Sequence, residues 1–298
     1  MSVTGPDDRA EGTPSEKAGA SPAAYDFFVD DFDAPELDVR RWLPHYLPAW
    51  SSRRDTAATW HISDSCLSLE IPAGHPIWCP DDHEPPLRVS GIQSGNQSGP
   101  LGSTTGQQPF RVGQTVREEQ PRFEGLLMAG GRFEIRCAMR ISPRSMAAAW
   151  LVGFEDEPER CGELCVVEVF GRSVRTGAGA ATAEVGLGVH AFRDPALVED
   201  FVAPRLNLDP AEMHTYAVEW DAQTAIHLVD DVEVRRTPRP PAYPLQAMIA
   251  VFDFPDGPDS PAGSDGSSRS DGSSGSDGTE DSPVPALVID RVAWRPSI

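Results

Sequence analysis

Gly162-Glu163-Leu164-Cys165-Val166-Val167-Glu168-Val169-Phe170-Gly171 is the stretch whose reading decides the fold. Two carboxylates stand five residues apart inside an apolar run rich in β-branched residues. Strands do not ordinarily bury acids without a use for them. Side chains alternate faces along a regular strand, so positions 163 and 168 would point to opposite sides. One extra residue at about Val166-Val167, a β-bulge, re-phases the strand and brings Glu163, Cys165 and Glu168 onto one surface. The bland alternative is that Glu163 opens the strand in solvent and Glu168 is an isolated edge charge. Ten residues do not decide between the two.

Outside this run, helical periodicity is scarce. Short β-branched and aromatic segments recur between Gly, Pro, Asp and Ser, a pattern that predicts an all-β sandwich. The predicted strands are 27–32, 59–61, 66–71, 88–93, 131–141, 147–154, 163–169, 184–190, 214–220, 225–229, 232–237, 246–252 and 286–294. Asp230-Asp231 reads as a tight hairpin turn. Asp209-Pro210-Ala211-Glu212 predicts about one helical turn over 208–213. Residues 78–120 are rich in Gly, Ser, Gln and Pro and too long for an ordinary connection, so they either shape a binding site or move.

Two segments depress the apolar fraction to 39%. Residues 1–24 and the Ser/Gly/Asp-rich insert at about 256–283 lack the apolar surface to offset ordering entropy, and both are expected to be disordered. About 200 to 230 residues remain, the size of one sandwich or barrel, so 25–298 reads as a single domain carrying that insert. A long insert between strands is cheap, because closure entropy grows only with the logarithm of length.

The formal charge of -21 disfavours nucleic acid and anionic membranes, and it favours a neutral or cationic ligand. No apolar run is long enough to span a bilayer. The N-terminus lacks the basic and apolar regions of a secretory signal, so the chain as read is cytoplasmic unless its start or export route differs. Cys66, Cys79, Cys137, Cys161 and Cys165 are odd in number and irregularly spaced, which predicts free thiols. His75, Cys79 and His83 have metal-like spacing, but three ligands without a C-x-x-C make a scattered polar loop the better reading.

In chain order the ordered segments resemble glycoside hydrolase family 16. The resemblance rests on Gly131-Arg132-Phe133-Glu134-Ile135-Arg136, Ala148-Ala149-Trp150-Leu151, Gly162-Glu163 with Glu168-Val169-Phe170-Gly171, Gly188-Val189-His190 and His214-Thr215-Tyr216-Ala217-Val218-Glu219-Trp220. Phe28-Val29-Asp30-Asp31-Phe32 and Val288-Ile289-Asp290-Arg291-Val292 are similar to that family's first and last strands.

The resemblance implies a concanavalin A-like jelly roll, two antiparallel sheets with a concave glycan-binding face. It also implies retaining, endo-acting hydrolysis of a β-linked glucan or related polysaccharide. Two carboxyls on one face, roughly 5–5.5 Å apart, are what such a reaction uses. Carried over, Glu163 matches the nucleophile and Glu168 the general acid/base. Trp150 matches a sugar-stacking aromatic and His190 a substrate-binding position, while Trp220 is equally compatible with core.

Cys165 departs from the motif E-x-D-x-x-E, standing where the family has Asp. A thiol removes a like charge and a strong hydrogen-bond partner. Glu168 is then expected to titrate lower, Glu163 to lose an orienting contact, and turnover to fall while the covalent mechanism survives. The alternatives are that Cys165 simply packs or that another acid serves from a loop. A non-catalytic carbohydrate-binding protein on the same fold is the second reading. No cofactor is expected. Calcium suits such sandwiches, but no ligand cluster demands it. The expected partner is a polysaccharide or oligosaccharide, with no nucleic acid, no membrane and a monomeric chain.

Overall fold

A computed structural model describes residues 27–177, 179–256 and 284–296. The disorder expected for 1–24 and for nearly all of 256–283 lies outside these residues.

Among the described residues, fourteen principal strands build the fold. In chain order they are β1 (Phe28–Asp30), β2 (Thr59–Ser63), β3 (Cys66–Glu70), β4 (Arg88–Gln93), β5 (Gly131–Arg140), β6 (Ser145–Gly153) and β7 (Glu163–Phe170). The chain continues through β8 (Gly186–His190), β9 (Asp200–Val202), β10 (His214–Trp220), β11 (Thr224–Val229), β12 (Val232–Pro238), β13 (Leu245–Asp253) and β14 (Ala286–Arg295). One antiparallel sheet runs β12-β11-β10-β5-β14-β3-β2, with β1 added to β14. The other runs β9-β8-β7-β6-β13-β4, with the short pair Leu127–Met128 added to β13. The two sheets face each other across one hydrophobic core, the expected all-β jelly-roll sandwich.

β6 shows how packing overrides local preference. Ala147-Ala148-Ala149 is a strong helix-forming run, yet it lies in the strand at the heart of its sheet, between β7 and β13. Ala147, Ala149 and Leu151 enter the core between the sheets. Met146, Ala148, Trp150 and Val152 join a second apolar cluster on the opposite face. A strand covered on both faces needs apolar residues at every position, and all nine of its residues are buried.

β7 carries the bulge. Against β6, Cys165 pairs with Trp150 and Val167 with Ala149, so Val166 has no partner of its own. Against β8, Cys165 faces Gly188 and Glu168 faces Gly186, again with one residue extra on β7. Val166 and Val167 both enter the core, as do Leu164 and Val169. The phase shift therefore puts Glu163, Cys165 and Glu168 on the outer, concave side.

Two expectations need correction. Residues 208–213 form no helical turn: the Asp209 carboxylate accepts the Ala211 N–H and its carbonyl accepts the Glu212 N–H, each at 3.0 Å. A side chain that closes its own turn competes with helix nucleation. The strand expected over 184–190 is also two pieces. Ala183–Glu184 pairs with Arg205–Leu206, whereas β8 pairs with β7. The hairpin at Asp230-Asp231 forms as read, both residues taking positive φ (49° and 62°) between β11 and β12. Trp220 belongs to the core, and all five cysteines are free.

Deleting Val166 should turn half of β7 inside out, setting one carboxylate against the core. The expected result is loss of a cooperative thermal transition by circular dichroism. A deletion variant that melts like the parent would show that the bulge does not set the phase of the strand.

Candidate active site

The concave face of the second sheet floors a cavity of roughly 290 Å³. Glu163, Cys165 and Glu168 of β7, Trp150 of β6 and Phe252 of β13 line it from below. The long segment 78–120 supplies a wall, including Trp78, His83, Gln108 and Phe110, so this segment shapes the site. Tyr46 stands edge-on to both Trp78 and Phe252, with ring centroids 5.2 and 5.6 Å apart, and Phe110 packs against Trp78 at 4.9 Å. Such a wall offers flat apolar rings to the C–H face of a sugar.

Backbone geometry makes room for the carboxylates. Gly186 lies opposite Glu168, and a Cβ there would sit 3.1 Å from the Glu168 Cβ and 2.6 Å from the Phe201 ring. Gly162 precedes Glu163, and its N–H donates to the Tyr243 hydroxyl at 2.7 Å, while that hydroxyl donates to Asp194 at 2.7 Å. A side chain at 162 would collide with Leu197 and Tyr243. The start of β7 is thereby pinned at the cavity floor.

Three groups that organise Glu163 leave no mark in the sequence. The Gln108 side-chain amide donates to Glu163 Oε2 at 3.3 Å. The Gln108 backbone N–H donates to Glu155 Oε1 at 2.6 Å, and Arg193 donates to Glu155 Oε2 at 2.7 Å. Glu155 is 6% exposed and also lines the cavity. Burial pushes its carboxyl up to about 7, against the opposing pull of the Gln108 N–H and Arg193. An acid from a loop thus stands near the pair, though it reaches Glu163 only through Gln108. Nothing in the spacing of Gln108, Glu155 and Arg193 signals this; three separate loops bring them together.

Cys165 is 2% exposed, and its thiol points to the Gly186 carbonyl oxygen at 3.6 Å rather than to either glutamate. Burial, and then the charges of Glu163 and Glu168, hold the thiol well above its ordinary range. It packs as a neutral group between the two acids. The thiol spares Glu168 a third neighbouring charge, and burial sets the direction of its titration. Removal from bulk water raises the Glu168 carboxyl, with His190 and Arg172 pulling it back. Glu163 is pushed up to about 8 by burial first, then by the charges of Glu168 and Glu199, with Gln108 opposing. Two acids that repel each other and share little water hold a proton into the neutral range.

Trp150 is 6% exposed, faces the cavity and leaves its indole N–H without a partner among the described residues. His190 pairs with Glu163 across β7 and β8 but stands outside the cavity lining. It stacks on Phe201 at 4.3 Å and meets Glu199 at 2.6 Å. The spacing His75, Cys79, His83 builds nothing together. His75 bonds Thr59 and the Val89 carbonyl, Cys79 the Trp50 carbonyl and His83 the Pro85 carbonyl. Among the described residues no cluster could hold a metal ion, and no helix is long and apolar enough to cross a membrane.

No protein-family model matches the sequence, and no curated protein does. Solved structures do. A GlcNAcα1-4Gal-releasing endo-β-galactosidase from Clostridium perfringens superposes with a TM-score of 0.69 at 22% identity, over 95% of this chain and 64% of that one. The chain therefore spans under two thirds of that enzyme. The laminarinase catalytic domain from Thermotoga maritima MSB8 gives a TM-score of 0.55 at 12% identity, over 91% of this chain and 97% of the other. A non-specific endo-β-1,3(4)-glucanase of glycoside hydrolase family 16 gives 0.56 at 12%, over 92% and 93%. At these identities the likeness is one of architecture. The chain has the concanavalin A-like fold of the glycoside hydrolase family 16 enzymes.

Proposed function

We propose that the chain is a retaining, endo-acting glycoside hydrolase that cleaves a β-linked glucan or related polysaccharide. One observation carries the reading: the extra residue in β7 sets Glu163 and Glu168 on the same wall of one cavity. The structural relatives, themselves glycan-cleaving enzymes, support it.

The pair carries one proton, and the first step proceeds from the form with that proton on Glu168: ionised Glu163 attacks the anomeric carbon, and Glu168 gives the proton to the departing glycosidic oxygen. The sugar is then an ester of Glu163. In the second step Glu168, now a carboxylate, takes a proton from water. The water oxygen displaces Glu163 from the anomeric carbon, and both groups return to their starting state. Gln108 holds the Glu163 carboxyl by one oxygen, the orienting contact that a Cys at 165 does not supply. Trp150 and the Tyr46–Trp78–Phe110 wall bind sugar faces, and His190 approaches the glycan from the rim.

The second reading is a glycan-binding protein without turnover. The thiol of Cys165 favours it, because it points to the Gly186 carbonyl and gives neither acid a charge or a hydrogen bond. Reducing ends released from laminarin, mixed-linkage glucan and a β-linked galactan decide between the two. The expected outcome is activity that falls by several orders of magnitude in Glu163→Gln and in Glu168→Gln. Tight glycan binding by the unaltered chain with no release of ends would establish the second reading.

Turnover needs one proton on the pair, and that proton leaves as pH passes about 8. The rate should fall on the alkaline side near that value. In Cys165→Asp a third negative charge pushes both acids higher, so the alkaline limb should move up. A limb that stays in place would count against this electrostatic account.

The same shift has a consequence for stability. Unfolding returns Glu163 from about 8 to its ordinary value of 4.5. The folded state therefore binds the proton more tightly, and its advantage is lost as pH rises through about 8. Glu163→Gln removes the group that must ionise in place. Its melting temperature should exceed that of the parent at pH 9 by several degrees and match it near pH 4. Equal melting temperatures at both pH values would show that Glu163 is not held above its usual range.

A further inference from the structure

Glu168 has a second side. Away from the cavity it lines a polar pocket of about 250 Å³ with Arg172, Ser173, Arg175, Glu184 and Arg205. This pocket forms where the chain leaves β7 through a single 3-10 turn, Gly171–Ser173, and returns through the paired segments Ala183–Glu184 and Arg205–Leu206.

The three arginines differ. Arg205 is committed within the protein, donating to Glu184 at 2.7 Å, to the Ser173 carbonyl at 2.9 Å and to the Thr182 hydroxyl at 3.2 Å. The Arg172 guanidinium lies 3.9 Å over the Phe170 ring, which orients it without neutralising it. Among the described residues neither Arg172 nor Arg175 makes a salt bridge or side-chain hydrogen bond with a carboxylate, and both are exposed. Arg172 acts on Glu168 across the pocket, opposing the rise of its carboxyl, yet among the described residues no direct contact ties either guanidinium to an acid. The overall charge favours a neutral or cationic ligand, but the local charge here has the opposite sign. A guanidinium fork matches a planar carboxylate or a sulfate with paired hydrogen bonds.

We propose that this pocket is a subsite for an anionic substituent, a sulfate ester or a uronic carboxylate, on a sugar adjoining the scissile bond. The inference rests on the hydrolase reading above, since Glu168 is the wall shared by pocket and cavity. Arg172 and Arg175 contact the anion, and Arg205, held by Glu184, fixes the floor.

The test uses the full chain with Glu163→Gln, so that ligands are bound and not consumed. Binding is measured by calorimetry for β-1,3-gluco-oligosaccharides and β-1,4-galacto-oligosaccharides. Each is supplied plain, sulfated, and oxidised to the uronate. The expected result is that one anionic form binds about ten- to hundredfold more tightly than its plain counterpart. Which form gains identifies the substituent. The advantage should narrow as salt rises, and it should vanish in a variant that also carries Arg172→Gln and Arg175→Gln. Plain ligands that bind as tightly as both anionic forms would overturn the subsite and leave the hydrolase reading standing. Binding of none of them would overturn both.

Discussion

A strand has a period of two, and everything at this site follows from breaking that period once. Without Val166 unpaired, the acids of β7 would lie on opposite faces, one of them in the core between the sheets. With it, four apolar side chains of the strand, Leu164, Val166, Val167 and Val169, still enter that core. The bulge therefore sets two carboxyls and a thiol against a shared cavity without losing apolar burial on the inner face. The neighbouring strand accommodates this with glycine opposite Cys165 and Glu168, at 188 and 186.

The site is assembled from two kinds of structure. The floor comes from central strands, where Trp150 and the carboxylates are fixed by sheet register. The wall comes from the long segment 78–120, which brings Gln108 and its aromatic neighbours over that floor. Glu155 and Arg193 tie the wall down from two further loops. This division suits a cleft on a common scaffold: rigid strands position the chemistry, and loops decide what fits beside it.

Electrostatics at the site works against stability. Glu155, Glu163 and Glu168 are all raised by burial, and the charge of Glu168 raises Glu163 further. A fold that holds three acids in this condition needs a large apolar core elsewhere, and the sandwich has one running between both sheets. Cys165 eases the conflict. A neutral thiol between the glutamates adds no third charge, and Gln108 restrains Glu163 from the loop side without adding charge of its own.

Much of this is legible in the sequence because strands write themselves locally. Alternation and turn chemistry give 88–93 and 214–220 to the residue, and the Asp230-Asp231 hairpin with them. The bulge is legible too, since two acids at a spacing of five share one face of a strand only where a residue is extra. Residues 208–213 mislead, because an Asp that opens a helix and an Asp that closes a turn look alike until the backbone is seen. Gln108, Glu155 and Arg193 are not legible at all. Their meaning lies in hydrogen bonds among loops, and from a loop to β7, that join residues 38 to 55 apart. The sequence by itself determined the sandwich, through the alternation of many short strands, and the spacing that allows Glu163 and Glu168 one face across a bulge. Only the tertiary structure decided what surrounds those acids, because burial and charge depend on segments that no periodicity connects.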